Sequence, residues 1–318
     1  LLNIISENNS ELLDASVMRI LNLKNRLGLF ENPYIKDNYP KNNDYRKTAL
    51  QAALESIVLL KNQNGILPLK KGKIAFIGPF TDDRCNHLGC WPCKGDPENV
   101  ISIKDAFENE KNYNISFEKG CETEKETEDG IKRSVLLAQQ SDTVVLMLGE
   151  SREISGENHN ISKLELPSVQ KKLLRSVYEV NKNIVIVLFA GRPLALEEEN
   201  ELSEALLMAW HLGDEAGNAV KKVLTGEFNP GGKLTITFPR TTGQIPIYYN
   251  HKNTGRPSFK NYLDTENTPL FPFGFGMSYT EFEYYDFKIN KEVFNKDEKI
   301  QLSVKIKNKG NIYGEEIC

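Results

Sequence analysis

No stretch of this sequence approaches the ~20 consecutive apolar residues of a membrane-spanning helix, so no such span is expected. A basic excess is missing too. The 40 Lys and Arg face 44 Asp and Glu, a net charge of −4, which leaves no footprint for nucleic acid. The glycine turns "GPF", "GES" and "GRP" belong to neither G-x-G-x-x-G nor G-x-x-x-x-G-K-[ST], so nucleotide sites lack their phosphate cradle. Histidine is scarce. His159, His211 and His251 are too scattered to suggest a metal site, and each reads as a hydrogen-bonding loop residue. The N-terminal "LLNIISENNS" has neither the basic start nor the apolar core of a signal peptide.

Cysteine is sparse as well, with 5 in 318 residues, and an odd number argues against a complete disulfide framework. Cys85, Cys90 and Cys93, with Cys121 further on, follow the spacing of a plant-type iron–sulfur ferredoxin. Nothing else supports a redox centre. The simpler reading is a loop holding small thiols, free or partly paired.

What is present is the composition of a soluble globular protein, 39% apolar and 26% charged. "SELLDASVMRILNLKNRLGLF" places Leu12, Leu13, Val17, Ile20, Leu21, Leu23 and Leu27 at near-helical spacing, with Gly28 placed to stop the helix. The polar, proline-bearing "NPYIKDNYPKNNDY" that follows is a linker by composition. From Tyr45 the pattern changes. An amphipathic helix over "DYRKTALQAALESIVLLKN" precedes the short apolar runs "KIAFIGP", "NISFEKG", "SDTVVLMLGE", "NIVIVLFAGRP" and "EALLMAW", which alternate with helical stretches. Strands without polar alternation, each followed by a helix, predict a parallel sheet of five or six strands covered on both faces, to about Pro239. Beyond loop-like, aromatic-rich segments, "FEYYDFKIN" and "KIQLSVKIKNKG" alternate as half-buried antiparallel strands do. A β-sandwich starting there needs about seven strands, so the chain is expected to stop inside a domain.

In open parallel sheets, ligands bind outside the carboxyl ends of the strands. The loops on that edge carry Asp82, Asp83 and Trp91, then "GESREISGENHN" with Glu150, Glu153 and Glu157, then Arg192, then His211 and Asp214. A general acid must keep its proton near neutral pH, which takes partial burial or a neighbouring negative charge. Three acids in one loop supply such repulsion; a solvated turn has the same composition.

The ordered stretches "ALESIVLLKNQNGILPLKK", "LGCWPCKGDPENVISI", "TVVLMLGESREISGE", "VLFAGRPLAL", "GEFNPGGKLTITFPR" and "PFGFGMSYT" resemble the family 3 glycoside hydrolases, especially their periplasmic β-glucosidases. The resemblance covers most of the chain. It implies an open, mostly parallel α/β sandwich at residues 45–245, preceded at 1–34 by the last helix of a (β/α)8 barrel. A linker at 35–44, an interdomain segment at 246–282 and a truncated fibronectin type III-like domain at 283–318 complete the organisation. It also implies a retaining, exo-acting β-glycosidase that takes terminal sugars from β-linked oligosaccharides or β-glucosides. No cofactor, metal, nucleic acid or membrane partner is expected, and the location is periplasmic or secreted. The nucleophile is an aspartate on the missing barrel. Glu157, of "SGE", falls at the acid/base position, with Glu150 and Glu153 as neighbours more at home on the surface. Relatives commonly carry an arginine four residues later, where this chain has Ile161. Trp91, of "GCW", is placed to stack on a sugar ring or to pack at a domain interface. The alternatives are a β-xylosidase of the same family and a non-catalytic carbohydrate-binding relative that keeps the fold.

Overall fold

A computed structural model describes residues 10–34, 44–252 and 262–318. Residues 35–43 of the linker predicted at 35–44, and part of the loop "YYNHKNTGRP", lie outside the described residues. The chain divides into two units, Leu1–Asn43 and Asp44–Cys318.

Among its described residues the first unit has one helix, α1 (Ser10–Arg26). Gly28, at φ +68°, ends it, and the Leu29 amide reaches back to the Lys24 carbonyl at 3.0 Å. Its apolar stripe, including Leu12, Val17, Ile20 and Leu27, is exposed.

The second unit runs α2 (Asp44–Ser56), β1 (Val58–Asn62), β2 (Lys73–Ile77), α3 (Ile103–Phe107), β3 (Asn114–Glu118), α4 (Gly130–Gln139) and β4 (Thr143–Gly149). It continues with α5 (Ser168–Tyr178), β5 (Ile184–Phe189), α6 (Glu197–Glu201), β6 (Ala205–Met208) and α7 (Ala216–Thr225). The sheet order is β1-β6-β5-β4-β2-β3. All neighbours are parallel except β1, which runs antiparallel to β6 with a bulge between Leu59 and Lys61. Side chains alternate between two cores. Val145, Met147, Val185 and Val187 meet Phe107, Val220 and Leu224 on one face. Val144, Leu146, Leu148 and Ile186 meet Leu173, Leu174 and Val177 on the other. Both faces are covered, which is why these strands read as unbroken apolar runs.

Two elements depart from the sequence reading. "ESIVLLKN" was expected to finish a helix, but the helix stops at Ser56 and Val58–Asn62 is a buried edge strand. Adjacent β-branched Ile57 and Val58 favour the extended backbone. The Lys61 ammonium then ties the strand to the Asn200 and Ser203 carbonyls. The sheet is therefore mixed rather than wholly parallel. Short helix α6 was not anticipated.

After the sheet, β7 (Phe282–Ile289) pairs antiparallel with β8 (Leu302–Asn308) as a two-stranded ribbon. The tail beyond it returns to the sandwich. Asn229 donates to the Tyr313 carbonyl (3.0 Å) and accepts from Ser278 Oγ (2.9 Å) and the Tyr279 amide (2.7 Å).

Candidate active site

Strand β2 has β3 on one side and β4 on the other, so the chain changes direction across the sheet between β2 and β4. The loops leaving the carboxyl ends of those two strands lie against each other on the edge where open parallel sheets bind ligands, the Arg152 amide of one donating to Asn86 Oδ1 of the other at 2.9 Å. Trp91 and Glu157 sit on these two loops.

The loop after β2 crosses β4 at once. Gly78 has φ +132°, and a Cβ there would fall 2.2 Å from the Met147 carbonyl oxygen, so only glycine fits. Asp82 pairs with Lys104 (2.9 Å), and Asp83 accepts from the Asn86 amide (2.6 Å), which makes both loop-shaping residues. His87 is fully buried, its ring edge-on to Phe189 with centroids 4.7 Å apart. Burial and neighbouring His211 push its pKa down to about 3. Trp91, on the same loop, is 66% exposed.

The loop after β4 begins at Glu150, whose amide bonds the Phe189 carbonyl of β5 (2.8 Å). Contrary to the surface position expected of it, Glu150 is 1% exposed and pairs with Arg192 at 3.1 Å. Burial pushes its carboxyl pKa up, against the pull of Arg192. A signal for this pair was available. Glu150 and Arg192 follow the ends of adjacent parallel strands, with Gly149 registered on Phe189. Glu153 is exposed and meets only Arg152 (3.2 Å).

Glu157 is exposed, between Gly156 (φ +105°) and Asn158 (φ +62°). Its carbonyl accepts from His159 Nδ1 at 2.8 Å. A Cβ added at Gly156 would lie 2.8 Å from Cys90 Sγ and 3.4 Å from Trp91 Nε1. The structure thus brings the two predicted site residues onto touching loops. Behind them, Arg192 reaches the carbonyls of Ile154 and His159 (3.1 Å to the latter). His211 Nδ1 donates to the Asn86 carbonyl (3.1 Å), and burial lowers its pKa. Asp214 contributes its backbone carbonyl to the Ile101 amide (2.9 Å). Ile161 helps line a hollow of about 370 Å³ with Glu150, Ile154 and Asn160. The His251 ring lies 6.4 Å from that of Tyr248.

Among the described residues no three His, Cys, Asp or Glu side chains are grouped to hold a metal. Cys85, Cys90, Cys93, Cys121 and Cys318 are free thiols. An exposed glutamate and an exposed tryptophan on touching loops of one sheet edge are equipped to exchange a proton with a ligand while an aromatic face holds its apolar surface.

The chain is 35% identical to the periplasmic β-glucosidase of Salmonella typhimurium, over 96% of this chain and 45% of that protein. It is 34% identical to a β-xylosidase of Formosa agariphila, over 96% of this chain and 44% of that one. A β-glucosidase from Listeria innocua, solved with laminaribiose, superposes with a TM-score of 0.88 at 39% identity, covering 98% of this chain and 45% of that one. The chain therefore spans a little under half the length of these relatives. Residues 57–279 match the glycosyl hydrolase family 3 C-terminal domain, and the chain belongs to that family.

Proposed function

We propose that this chain supplies the acid/base half of a retaining, exo-acting β-glycosidase, with Glu157 as the general acid/base and Trp91 as a sugar-stacking residue. The single observation behind this reading is the position of Glu157. It is an exposed carboxyl on the loop after β4, against the loop that carries Trp91, in a family 3 chain. Retaining hydrolysis needs two carboxyls about 5–5.5 Å apart, one to attack the anomeric carbon and one to protonate the leaving oxygen and then activate water. In our reading the attacking aspartate belongs to a (β/α)8 barrel that residues 1–34 complete. A general acid keeps its proton only when water is excluded, so covering Glu157 falls to the sugar and to that barrel. Residues 283–318 open a fibronectin type III-like domain, and the enzyme works in the periplasm or outside the cell. The substrate is a terminal β-linked glucose on an oligosaccharide or glucoside. The Formosa β-xylosidase relative supports terminal xylose as the second reading.

Glu157→Gln in the enzyme carrying this chain tests the assignment. A good leaving group departs without a proton, so activated aryl glycosides should lose little in the glycosylation step. Unactivated disaccharides should lose about 10²–10⁴-fold, the usual contribution of a positioned acid. Azide, which attacks the glycosyl-enzyme without needing a base, should partly restore turnover of the activated substrate. Equal losses on both substrates, or the same pattern from Glu153→Gln instead, would assign the role elsewhere.

A further inference from the structure

Glu157 sits in a segment with little structure of its own. Among the described residues its backbone makes a single 3-10 turn at Arg152–Ile154, with amides of Ile154 and Ser155 on the carbonyls of Ser151 and Arg152, and one further turn bond from the His159 amide to the Gly156 carbonyl. Residues 156 and 158, on either side of the glutamate, both have positive φ, so the chain reverses sharply without strand or helix support. Among the described residues, two side chains from elsewhere hold the segment: Asn86, whose Oδ1 accepts from the Arg152 amide at 2.9 Å before the acid, and Arg192, which reaches both sides of it. Arg192 Nη2 donates to the Ile154 and His159 carbonyls, three residues before and two after Glu157. Arg192 Nε donates to Glu150 Oε2 at 3.1 Å. Glu150 is itself fixed, because its amide is bonded to the Phe189 carbonyl at the end of β5.

We propose that Arg192 is a positioning residue for the Glu157 loop, a guanidinium braced on buried Glu150 that grips the loop on both sides of the acid. The inference rests on the reading of Glu157 as the acid/base. Its chemistry is specific to arginine. A planar guanidinium presents five donors in a fixed fork, so one side chain can hold a carboxylate and two carbonyls in different directions. The carboxylate of Glu150 balances the charge where the side chain is only 18% exposed. Because both groups hang from the ends of neighbouring parallel strands, the loop inherits its position from the stiffest part of the fold.

The test uses Arg192→Met, Arg192→Lys and Glu150→Gln in the enzyme carrying this chain, read by amide hydrogen exchange and by two substrate classes. In Arg192→Met the amides of residues 153–160 should exchange at least about tenfold faster while those of β4 and β5 stay protected. Turnover of unactivated disaccharides should fall about 10²-fold, the scale of an ångström-sized misplacement, with a much smaller fall for activated aryl glycosides. Arg192→Lys keeps the charge beside Glu150 and guards against a folding failure, yet spans fewer acceptors and should still loosen the loop. Unchanged exchange in both Arg192 variants overturns the proposal. Faster exchange with equal losses on both substrates also overturns it, because the arginine would then serve only the fold. A Glu157→Gln variant without leaving-group dependence defeats the acid/base reading instead, and the exchange data still report whether Arg192 holds the loop.

Discussion

Glu199 and His87 are buried side chains whose polar atoms have no hydrogen-bond partner. Burial pushes the Glu199 carboxyl up to about 7. Its folded state holds the proton more tightly than the unfolded chain does, so stability is full below the ordinary value of 4.5 and drains away as pH rises to about 7. The loss is on the order of 3 kcal/mol. His87 has the opposite sign, with stability full above 6.5 and lost as pH falls toward 3. Glu199→Gln should therefore flatten the melting curve between pH 4.5 and 7 and raise stability above pH 7 relative to the unsubstituted protein. Parallel melting profiles across that window would mean that Glu199 does not titrate inside the fold. The candidate site was partly legible at this scale. Glu157 and Trp91 stand in quotable motifs on loops that the strand pattern placed on one edge. Glu150 was misplaced because it lies among polar neighbours, while the arginine that explains its burial comes 42 residues later.

Elements were readable wherever burial on both faces left an apolar run, as in β4 and β5. They were unreadable where one pattern suits two structures. Leu54, Ile57 and Val58 fit a helical stripe as well as a strand start, so β1 was absorbed into α2. Glu197–Glu201 has no apolar periodicity at all, and α6 forms there only because the chain must turn between β5 and β6. The β4–β5 contact carries its own test. A Cβ at Gly149 would lie 1.9 Å from the Phe189 carbonyl oxygen, inside a ladder with no slack. Gly149→Ala should cost about 3 kcal/mol, as forced overpacking does, and chemical denaturation measures it. A change below about 0.5 kcal/mol, the scale of a neutral surface substitution, would show that the strand ends can part freely.

For the whole molecule, the proposed function puts one carboxyl of a two-carboxyl reaction on a chain that covers 45% of its Salmonella relative. The 318-residue chain by itself should leave aryl β-glucosides intact, since no glycosyl-enzyme forms without the second group. Turnover by the purified chain that survives Glu157→Ala would point to a different site. The antiparallel edge has a consequence of another kind, in the order of synthesis. Strand β1 is complete at Asn62, yet its partner begins only at Ala205. At about 5–20 residues per second the ribosome takes roughly 7–30 s to make the intervening chain. Throughout that wait "VLLKN" is an apolar strand with nothing to pair with, a natural stop for a holdase chaperone. The emergence of β6 then decides when the nascent sandwich becomes safe to release.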